Sequence, residues 1–383
     1  MDAAHRVGIV GGGQLARMTG LAAARLGVEI VVLDPDPHCP AGAAGAEVLV
    51  GDPADFDLLR QLASRTDVLT LDHENVSVDH LGQLEQLGVR VAPGSVVAEM
   101  AIDKLRSRTR FREEGFPVPE VAEVSGLGDV GEFAERFGWP VVLKASSGGY
   151  DGRGVDVVAS IDAARAALPG LGSKVHAERF VSFDQELSVM VARRRGGEVA
   201  VYSPVTSVQR DGMCVEVVCP ALVPATVRQA ACDLATDLAE RFDLVGVMAV
   251  ELFVVGDDLI VNEIATRPHN SAHHTIEACE TSQFEQHLRA ILDLPLGSTA
   301  MRSPAAAMVN VVGRDDGEPV AAHLADAASV HGASIHLYGK ADRPGRKLGH
   351  VTAVAATIDD ARSIAQRAAR RLNGTTGDQE ESA

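Results

Sequence analysis

Pro140-Val141-Val142-Leu143-Lys144 runs straight into Ala145-Ser146-Ser147-Gly148-Gly149-Tyr150-Asp151-Gly152-Arg153-Gly154, and this stretch decides the fold. The first part reads as a buried strand closed by a basic residue. Four glycines then fall between positions 148 and 154. Glycine lets backbone N–H groups approach phosphate oxygens with no Cβ in the way. Lys144 adds a point charge for the same phosphates. No G-x-x-x-x-G-K-S/T pattern occurs, so the P-loop solution is absent. A glycine-rich hairpin behind a strand lysine is another way to hold a nucleoside triphosphate. The bland alternative is an ordinary β-hairpin.

Further along come the acids that such a site requires. Glu251 lies in Ala249-Val-Glu-Leu-Phe-Val-Val255, and Asn262-Glu263 lies in Leu259-Ile-Val-Asn-Glu-Ile-Ala265. Gly256-Asp257-Asp258 between them is a hairpin signal. A three-residue loop would put Glu251 opposite Glu263; a two-residue loop would put it opposite Asn262. Carboxylates paired across strands repel unless a cation lies between them. Mg²⁺ commonly takes one or two carboxylates plus phosphate oxygens. Their place in otherwise apolar strands favours Glu251 and Glu263 as metal ligands.

The next residues, Arg267-Pro-His269-Asn270-Ser-Ala-His273-His274, are dense in polar groups. One histidine there would read as a loop residue. Three of them with Arg267 and Asn270 suggest an anion pocket beside the metal. Zinc is not expected, because the spacing lacks its usual pattern and Arg267 would oppose a cation. Near the C-terminus, His336-Leu-Tyr338-Gly-Lys340 and Arg343-Pro-Gly-Arg346-Lys347-Leu-Gly-His350 form a basic cluster in a chain of net charge −18. It reads as a solvated loop or as a clamp on a phosphorylated substrate.

At the N-terminal end, Arg6–Val10 reads as a strand and Gln14–Leu26 as a helix stopped by Gly27. Glu29–Leu33 reads as a second strand, Pro53–Ser64 as a helix, Val68–Leu71 as a strand and Val78–Leu87 as a helix. Apolar strands alternating with helices imply a parallel sheet covered on both faces. Gly11-Gly12-Gly13-Gln14-Leu15-Ala16, with Asp34 closing the next strand, nearly matches a dinucleotide fingerprint. The turn aims a helix N-terminus at an anion, but leaves open whether that anion is a dinucleotide or another phosphate.

The 383 residues suit two or three domains, and 46% hydrophobic content suits sizeable cores. The negative charge argues against a nucleic-acid or acidic-membrane surface. The five cysteines show no C-x-x-C pairing and read as reduced thiols of a cytoplasmic protein. No signal peptide fits the first residues, and no apolar run approaches the ~20 residues that span a bilayer. Lys104–Glu114 reads as a charged helix. Val175–Phe180, Leu187–Ala192 and Val199–Val205 read as strands, and Ala225–Phe242 as a helix. Ala306–Val312, Ser334–Leu337 and Val351–Ala356 are further strands before a last helix, Ile358–Arg371.

Taken together, the glycine turn, the 148–154 loop, Asn262-Glu-Ile-Ala, Thr281-Ser-Gln-Phe-Glu-Gln-His-Leu-Arg289 and the 336–350 cluster resemble the ATP-grasp superfamily. Within it they resemble the 5-(carboxyamino)imidazole ribonucleotide synthetases of purine biosynthesis, over nearly the whole chain. The resemblance implies an α/β and α+β multidomain protein. Its parts are a Rossmann-like parallel-sheet domain (1–103), an ATP-grasp domain (104–296), a small β-rich C-terminal domain (297–372) and a tail (373–383). It implies ATP-dependent carboxylation of 5-aminoimidazole ribonucleotide by bicarbonate through carboxyphosphate, with ATP and Mg²⁺ and in a cytoplasmic homodimer. For ATP it implies Lys104, Lys144, the loop Gly149, Tyr150, Asp151, Gly152, Arg153, Gly154 and Val155, the adenine-reading stretch Glu178, Arg179, Phe180 and Val181, Glu186 at the ribose, and Asn262 with Glu263. It implies Glu251 and Glu263 for the metal, and Arg267, Asn270 and His273 around the bicarbonate-derived group. Gly13, Gln14, Leu15, Tyr150, Arg153, Lys340, Arg346 and Lys347 are implied for the ribonucleotide.

The chemistry brings anions together, so cations must offset charge as it develops. A short-lived carboxyphosphate favours a glycine-hinged cover. The chain departs from the family at Ala272 (a frequent glycine), His274 (a frequent aromatic), Gln209 (histidine in some members) and Val155 (a frequent glutamine). A formate-dependent glycinamide ribonucleotide transformylase is the nearest rival. An NAD-dependent dehydrogenase would leave Lys144, Glu251 and Glu263 without a role, and the retained acids argue against a catalytically silent nucleotide-binding regulator.

Overall fold

The structure is a computed structural model that describes residues 5–148, 154–314 and 318–374. The loop residues Gly149, Tyr150, Asp151, Gly152 and Arg153 lie outside the described residues, as does the expected polar tail from residue 375 onward.

The chain opens with β1 (Arg6–Val10), α1 (Gln14–Leu26), β2 (Glu29–Asp34), β3 (Glu47–Val50), α2 (Phe56–Ala63), β4 (Val68–Leu71), α3 (Val78–Gln86) and α4 (Ser95–Ile102). The strands form a parallel sheet in the order β3-β2-β1-β4. Successive strand residues point to opposite faces. Val7, Ile9, Ile30 and Val32 pack against α1, while Val31, Leu33, Leu69 and Leu71 pack against α2 and α3. Both faces are thus covered, as the apolar runs predict. α1 ends where Gly27 takes φ 67°, a left-handed C-cap. α2 starts at Phe56 rather than Pro53, because Asp52 accepts the Ala54 N–H and Asp55 caps Asp57 and Leu58. β3 and α4 carry no strong sequence signal, and each is held by its neighbours.

A second sheet follows α5 (Lys104–Glu113). It contains β5 (Val121–Val124), β6 (Val141–Ala145), β7 (Val155–Val158) and β8 (Val175–Arg179), with α6 (Leu127–Phe137) and α7 (Ile161–Ala167) packed on it. The order is β5-β8-β6-β7, all antiparallel.

The third sheet is the largest. Its strands are β9 (Gln185–Arg193), β10 (Val199–Val201), β11 (Val205–Arg210) and β12 (Met213–Cys219); then, after α8 (Ala225–Arg241), β13 (Gly246–Val255) and β14 (Asp258–Ala265). The run Val199–Val205 is therefore two strands. Pro204, which cannot donate to a ladder, sits just before the second. α8 covers one face of β9 and β13 through Val227, Ala231, Ala235 and Leu238. After α9 (Thr275–Ala278) and α10 (Gln283–Ile291), β15 (Ala305–Val312) pairs with β12 and carries the chain onto the same sheet. α11 (Leu324–Ala328), β16 (Ala333–Leu337), β17 (Lys347–Ala355) and α12 (Ile358–Leu372) complete it, in the order β14-β13-β9-β11-β12-β15-β17-β16. Phe284, Leu288 and Ile291 of α10 join the core beneath α1, which ties the first sheet to the third. Among the described residues no helix is long and apolar enough to cross a membrane.

Candidate active site

The three sheets converge on one cleft of about 1440 Å³. That is larger than the ~300–1,000 Å³ typical of a site for one small ligand. Its floor is the β13–β14 hairpin, where the register was open from sequence. The loop has two residues: Val255 pairs with Asp258, and Gly256 takes φ 61°. That alone would put Glu251 opposite Asn262. A bulge intervenes. Leu252 pairs with Val261, the ladder then shifts by one residue, and Glu251 faces Glu263. A bulge adds one residue and re-aims the side chains beyond it. The facing acids therefore arise from a two-residue loop plus a bulge at Asn262.

Neither acid is left alone. Lys104 Nζ lies 2.7 Å from Glu263 Oε2, and His269 Nε2 lies 3.7 Å from Glu251 Oε1. Burial, then the charges of Glu263 and Glu186, push the Glu251 carboxyl up. Burial acts on Glu263 too, but Lys104 and Lys144 outweigh it and hold that carboxyl down. The pair titrates as a unit that readily shares one proton or one cation. Burial, then Arg267 and Lys347, push His269 down to about 3, so it is neutral at pH 7.

Lys144 ends β6 at the cleft wall, and its Nζ lies 2.7 Å from Glu178 Oε2 and 3.5 Å from Asn262 Oδ1. Burial pulls the Lys144 pKa down and the Glu178 carboxylate opposes that. Lys144 pairs in the ladder with Val155, and the Ala145 N–H donates to Gly154 O at 2.8 Å. The glycine-rich loop therefore springs from a hairpin neck at the lysine itself. Gly148 (φ 77°) and Gly154 (φ 75°) bracket it in the left-handed region. Arg179, Phe180, Val181 and Glu186 line the same cleft, and burial raises the Glu186 pKa. Gln209 lines it as well, with Nε2 donating to Ser207 Oγ at 2.9 Å.

The opposite end meets the N-terminal sheet. Gln14 and Leu15, at the start of α1, line the cleft. The rest of that helix terminus is already satisfied within the chain. Asp34 accepts the Gly12 N–H at 2.7 Å, and Asp72 accepts the N–H groups of Gly13 (3.2 Å) and Ala16 (2.6 Å). Two internal carboxylates thus occupy the donors that a dinucleotide pyrophosphate would need. The Gly11–Ala16 turn keeps the shape of the fingerprint without its vacancy.

Arg267 Nη2 lies 2.6 Å from Glu74 Oε2, an ion pair between the third sheet and the end of the first. Asn270 and Asn310 exchange amide hydrogen bonds at 2.8 and 2.7 Å. Arg267, Asn270 and Lys347 all line the cleft. His273 does not. It is buried, with Nδ1 3.0 Å from Gln283 Nε2 and its ring 4.9 Å from that of His350. Lys340 and Arg346 are likewise not brought to the cleft wall. The Lys340 ammonium sits 5.7 Å from the Tyr338 ring centroid, and Arg346 Nη1 donates to Ala341 O at 3.3 Å. The Ala272 methyl, a departure from the family pattern, is accommodated in the core beside Met190 and Ala192.

Sequence reasoning missed Arg108, His176, Asp72 and Glu74. Arg108 had a signal: three residues before Phe111, it shares the inward face of α5 with the helix's sole aromatic anchor. His176 and Glu178 had another, since alternate residues of one strand share a face.

Comparison with known proteins matches this geometry. Residues 4–102 match the ribonucleotide synthetase preATP-grasp domain, 109–284 the ATP-grasp domain, and 306–364 the phosphoribosylaminoimidazole carboxylase C-terminal domain. The chain is 42% identical to the N5-carboxyaminoimidazole ribonucleotide synthase of Synechococcus elongatus, covering 91% of this chain and 89% of that one. The chain belongs to the N5-carboxyaminoimidazole ribonucleotide synthase family. The Mycobacterium tuberculosis synthase is 43% identical over 96% of this chain and 87% of its own. The crystal structure of the Aspergillus clavatus synthase, in complex with ADP and 5-aminoimidazole ribonucleotide, superposes with a TM-score of 0.90 at 35% identity, covering 98% of this chain and all of that one. Membership in this synthase family fixes the ATP-grasp fold with its N-terminal parallel sheet, and sets aside the dehydrogenase and transformylase alternatives.

Proposed function

We propose that the protein uses ATP to carboxylate 5-aminoimidazole ribonucleotide with bicarbonate, giving 5-(carboxyamino)imidazole ribonucleotide, ADP and phosphate. The observation that carries this reading is the convergence of Lys144 with the facing acids Glu251 and Glu263 in one cleft. That cleft also holds a basic wall and the first two residues of α1, Gln14 and Leu15.

Lys144 and the 149–155 loop hold the triphosphate, with Lys104 beside them. The Glu178–Val181 edge reads adenine through its backbone, and Glu186 takes the ribose. Glu251 and Glu263, which line the cleft together with Asn262, suit Mg²⁺. They are hard oxygen donors on facing strands, and a cation, the Lys104 ammonium, already sits on one of them. When bound, the ion neutralises phosphate charge and lowers the barrier to phosphoryl transfer. Lys104 must release Glu263 for that, and the incoming phosphates are its natural new partner. Arg267 and Asn270 surround the bicarbonate-derived group. Neutral His269 beside them adds no positive charge, and His273 supports this wall from behind through Gln283. Gln14 and Leu15 N–H groups, next to Gly13, suit the ribonucleotide phosphate. Lys347 lines that end of the cleft and, with Tyr150 and Arg153, completes that subsite; Lys340 and Arg346, which do not reach the wall, are left out of it. A cytoplasmic setting accords with the five free thiols, and a homodimer is checked by light scattering.

The test is ADP release by the purified protein with ATP, Mg²⁺, the ribonucleotide and bicarbonate, omitting each in turn. Release that ignores both bicarbonate and the ribonucleotide overturns the assignment.

A further inference from the structure

Beneath Lys144 lies a buried charge cluster that reaches away from the cleft. Glu178 is 2% exposed and accepts from three sides. Lys144 Nζ meets Oε2 at 2.7 Å, while Arg108 Nε and His176 Nε2 meet Oε1 at 3.0 and 3.2 Å. His176 in turn lies 3.0 Å from Ser146 Oγ through Nδ1. Arg108 is fully buried, and its Nη1 and Nη2 have no hydrogen-bond partner among the described residues.

An arginine in that state is expensive to keep. Its neighbours on α5 are not treated so: Arg106 pairs with Glu99, Arg110 with Glu113 and Glu114, and Arg112 donates to Pro119 O. Arg108 alone turns inward, and it does not line the cleft, so it does not meet nucleotide directly. Lys144 and Glu178 by themselves would cancel. With Arg108 the group holds two cations against one carboxylate, and Lys144 is the one of the two that reaches the cleft.

We propose that Arg108 is a positioning residue for nucleotide binding: by holding Glu178 Oε1 it fixes Oε2 under Lys144 and leaves the lysine's positive charge available to the phosphates. The inference rests on the reading of Lys144 as a phosphate ligand.

The experiment measures Mg-ADP affinity by calorimetry, KM for ATP and for the ribonucleotide, kcat and Tm. It uses Arg108→Met, Arg108→Gln, Arg108→Lys and Lys144→Met in the full chain. A lost hydrogen bond to a charged group makes the expected change a rise of about tenfold or more in Kd for ADP and KM for ATP in Arg108→Met and Arg108→Gln. KM for the ribonucleotide and kcat at saturating ATP stay within about twofold, and Arg108→Lys recovers most of the affinity. Arg108→Gln keeps a donor and guards against failure of the methionine variant to fold. A lowered Tm with unchanged ADP affinity makes Arg108 merely structural and overturns the proposal. If Lys144→Met itself binds ADP as the parent does, the phosphate reading falls instead.

Discussion

Glu263→Gln separates the chemistry of the acid pair from the fold that presents it. Glu263 adds to stability through Lys104, at 2.7 Å, but the two side chains are 38% and 17% exposed. An ion pair this open is worth ~0.2–1 kcal/mol. Against it stands repulsion from Glu251, directly opposite on β13. Cβ atoms at such positions lie about 5 Å apart. Two full charges at that separation would repel by roughly 1 kcal/mol in water and roughly 3 kcal/mol at an effective dielectric of 20, and the Glu251 carboxyl, pushed up by burial and by Glu263, relieves most of that by holding a proton. Glutamine keeps the size and the backbone register, so two small terms of opposite sign remain. Since 1 kcal/mol moves Tm by about 2–4 °C in a unit of 150–250 residues, the variant should melt within about 5 °C of the parent. Turnover responds differently. Removing one preorganised electrostatic partner of a reacting group costs ~2.7–4 kcal/mol, or about 10²–10³ in kcat. The assay is coupled ADP release at saturating ATP, Mg²⁺, ribonucleotide and bicarbonate, with the melting curve taken on the same sample. A variant that melts normally and keeps more than about a tenth of parental kcat refutes a metal role for Glu263.

Gly13→Ala places a Cβ against the Asp72 carboxylate, which must leave the N–H groups of Gly13 and Ala16. Loss of a charged helix cap predicts destabilisation by ~1–3 kcal/mol in chemical denaturation, with ADP affinity unchanged because Lys144 is untouched; a neutral substitution would refute the capping role. Acid should destabilise the protein from about pH 6.5 downward. Burial pushes His269 to about 3 and His274 and His287 to about 4, and holds His273 and His350 well below the usual range. Each folded pKa lies below the unfolded one, so the unfolded chain binds more protons in that window and stability falls with pH, by up to about 1.4 kcal/mol per pH unit and histidine. Glu178, held well down by Arg108 and Lys144 against its burial, loses its contribution in the same direction at lower pH. Urea melts at pH 7 and pH 5.5 check this, and equal midpoints would contradict the neutral buried state.

Much of this site could be read from the chain because it is local. Strand, glycine turn and helix follow one another at β1–α1, and strand, glycine-rich segment and strand at β6–β7, so spacing alone carried the geometry. The β13–β14 register was only half legible. Loop length is a local property, whereas the bulge at Asn262 is set by which residues the third sheet must bury. His273 was misplaced by spacing for a related reason. Its neighbours in sequence line the cleft, but the turn Asn270–Ala272 rotates it into the core beside Phe284 and Tyr338. Arg346 and Lys340 look like a clamp in sequence because they are basic. Only packing decides that Lys347, at the start of β17, reaches the cleft while they do not. Arg108 and Glu74 could not be matched to their partners at all, since those lie 70 and 193 residues away.

What unites the residues that were hard to read is that they are counter-charges. Several of the groups that bind a ligand in this reading already hold an opposite charge from elsewhere in the chain: Glu263 has Lys104, Lys144 has Glu178, Arg267 has Glu74, and the glycine turn has Asp34 and Asp72. Isolated buried charges would destabilise the empty protein, so the fold needs these partners before substrate arrives. They differ in how deeply they are held. Lys104 and Glu263 are partly open to the cleft and can part, whereas Glu178 and Arg108 are closed off and cannot. The exchangeable pairs are therefore where substrate and metal enter. The closed ones set the charge that those ligands meet, and a mutation in the second class should change affinity without changing which ligand is bound.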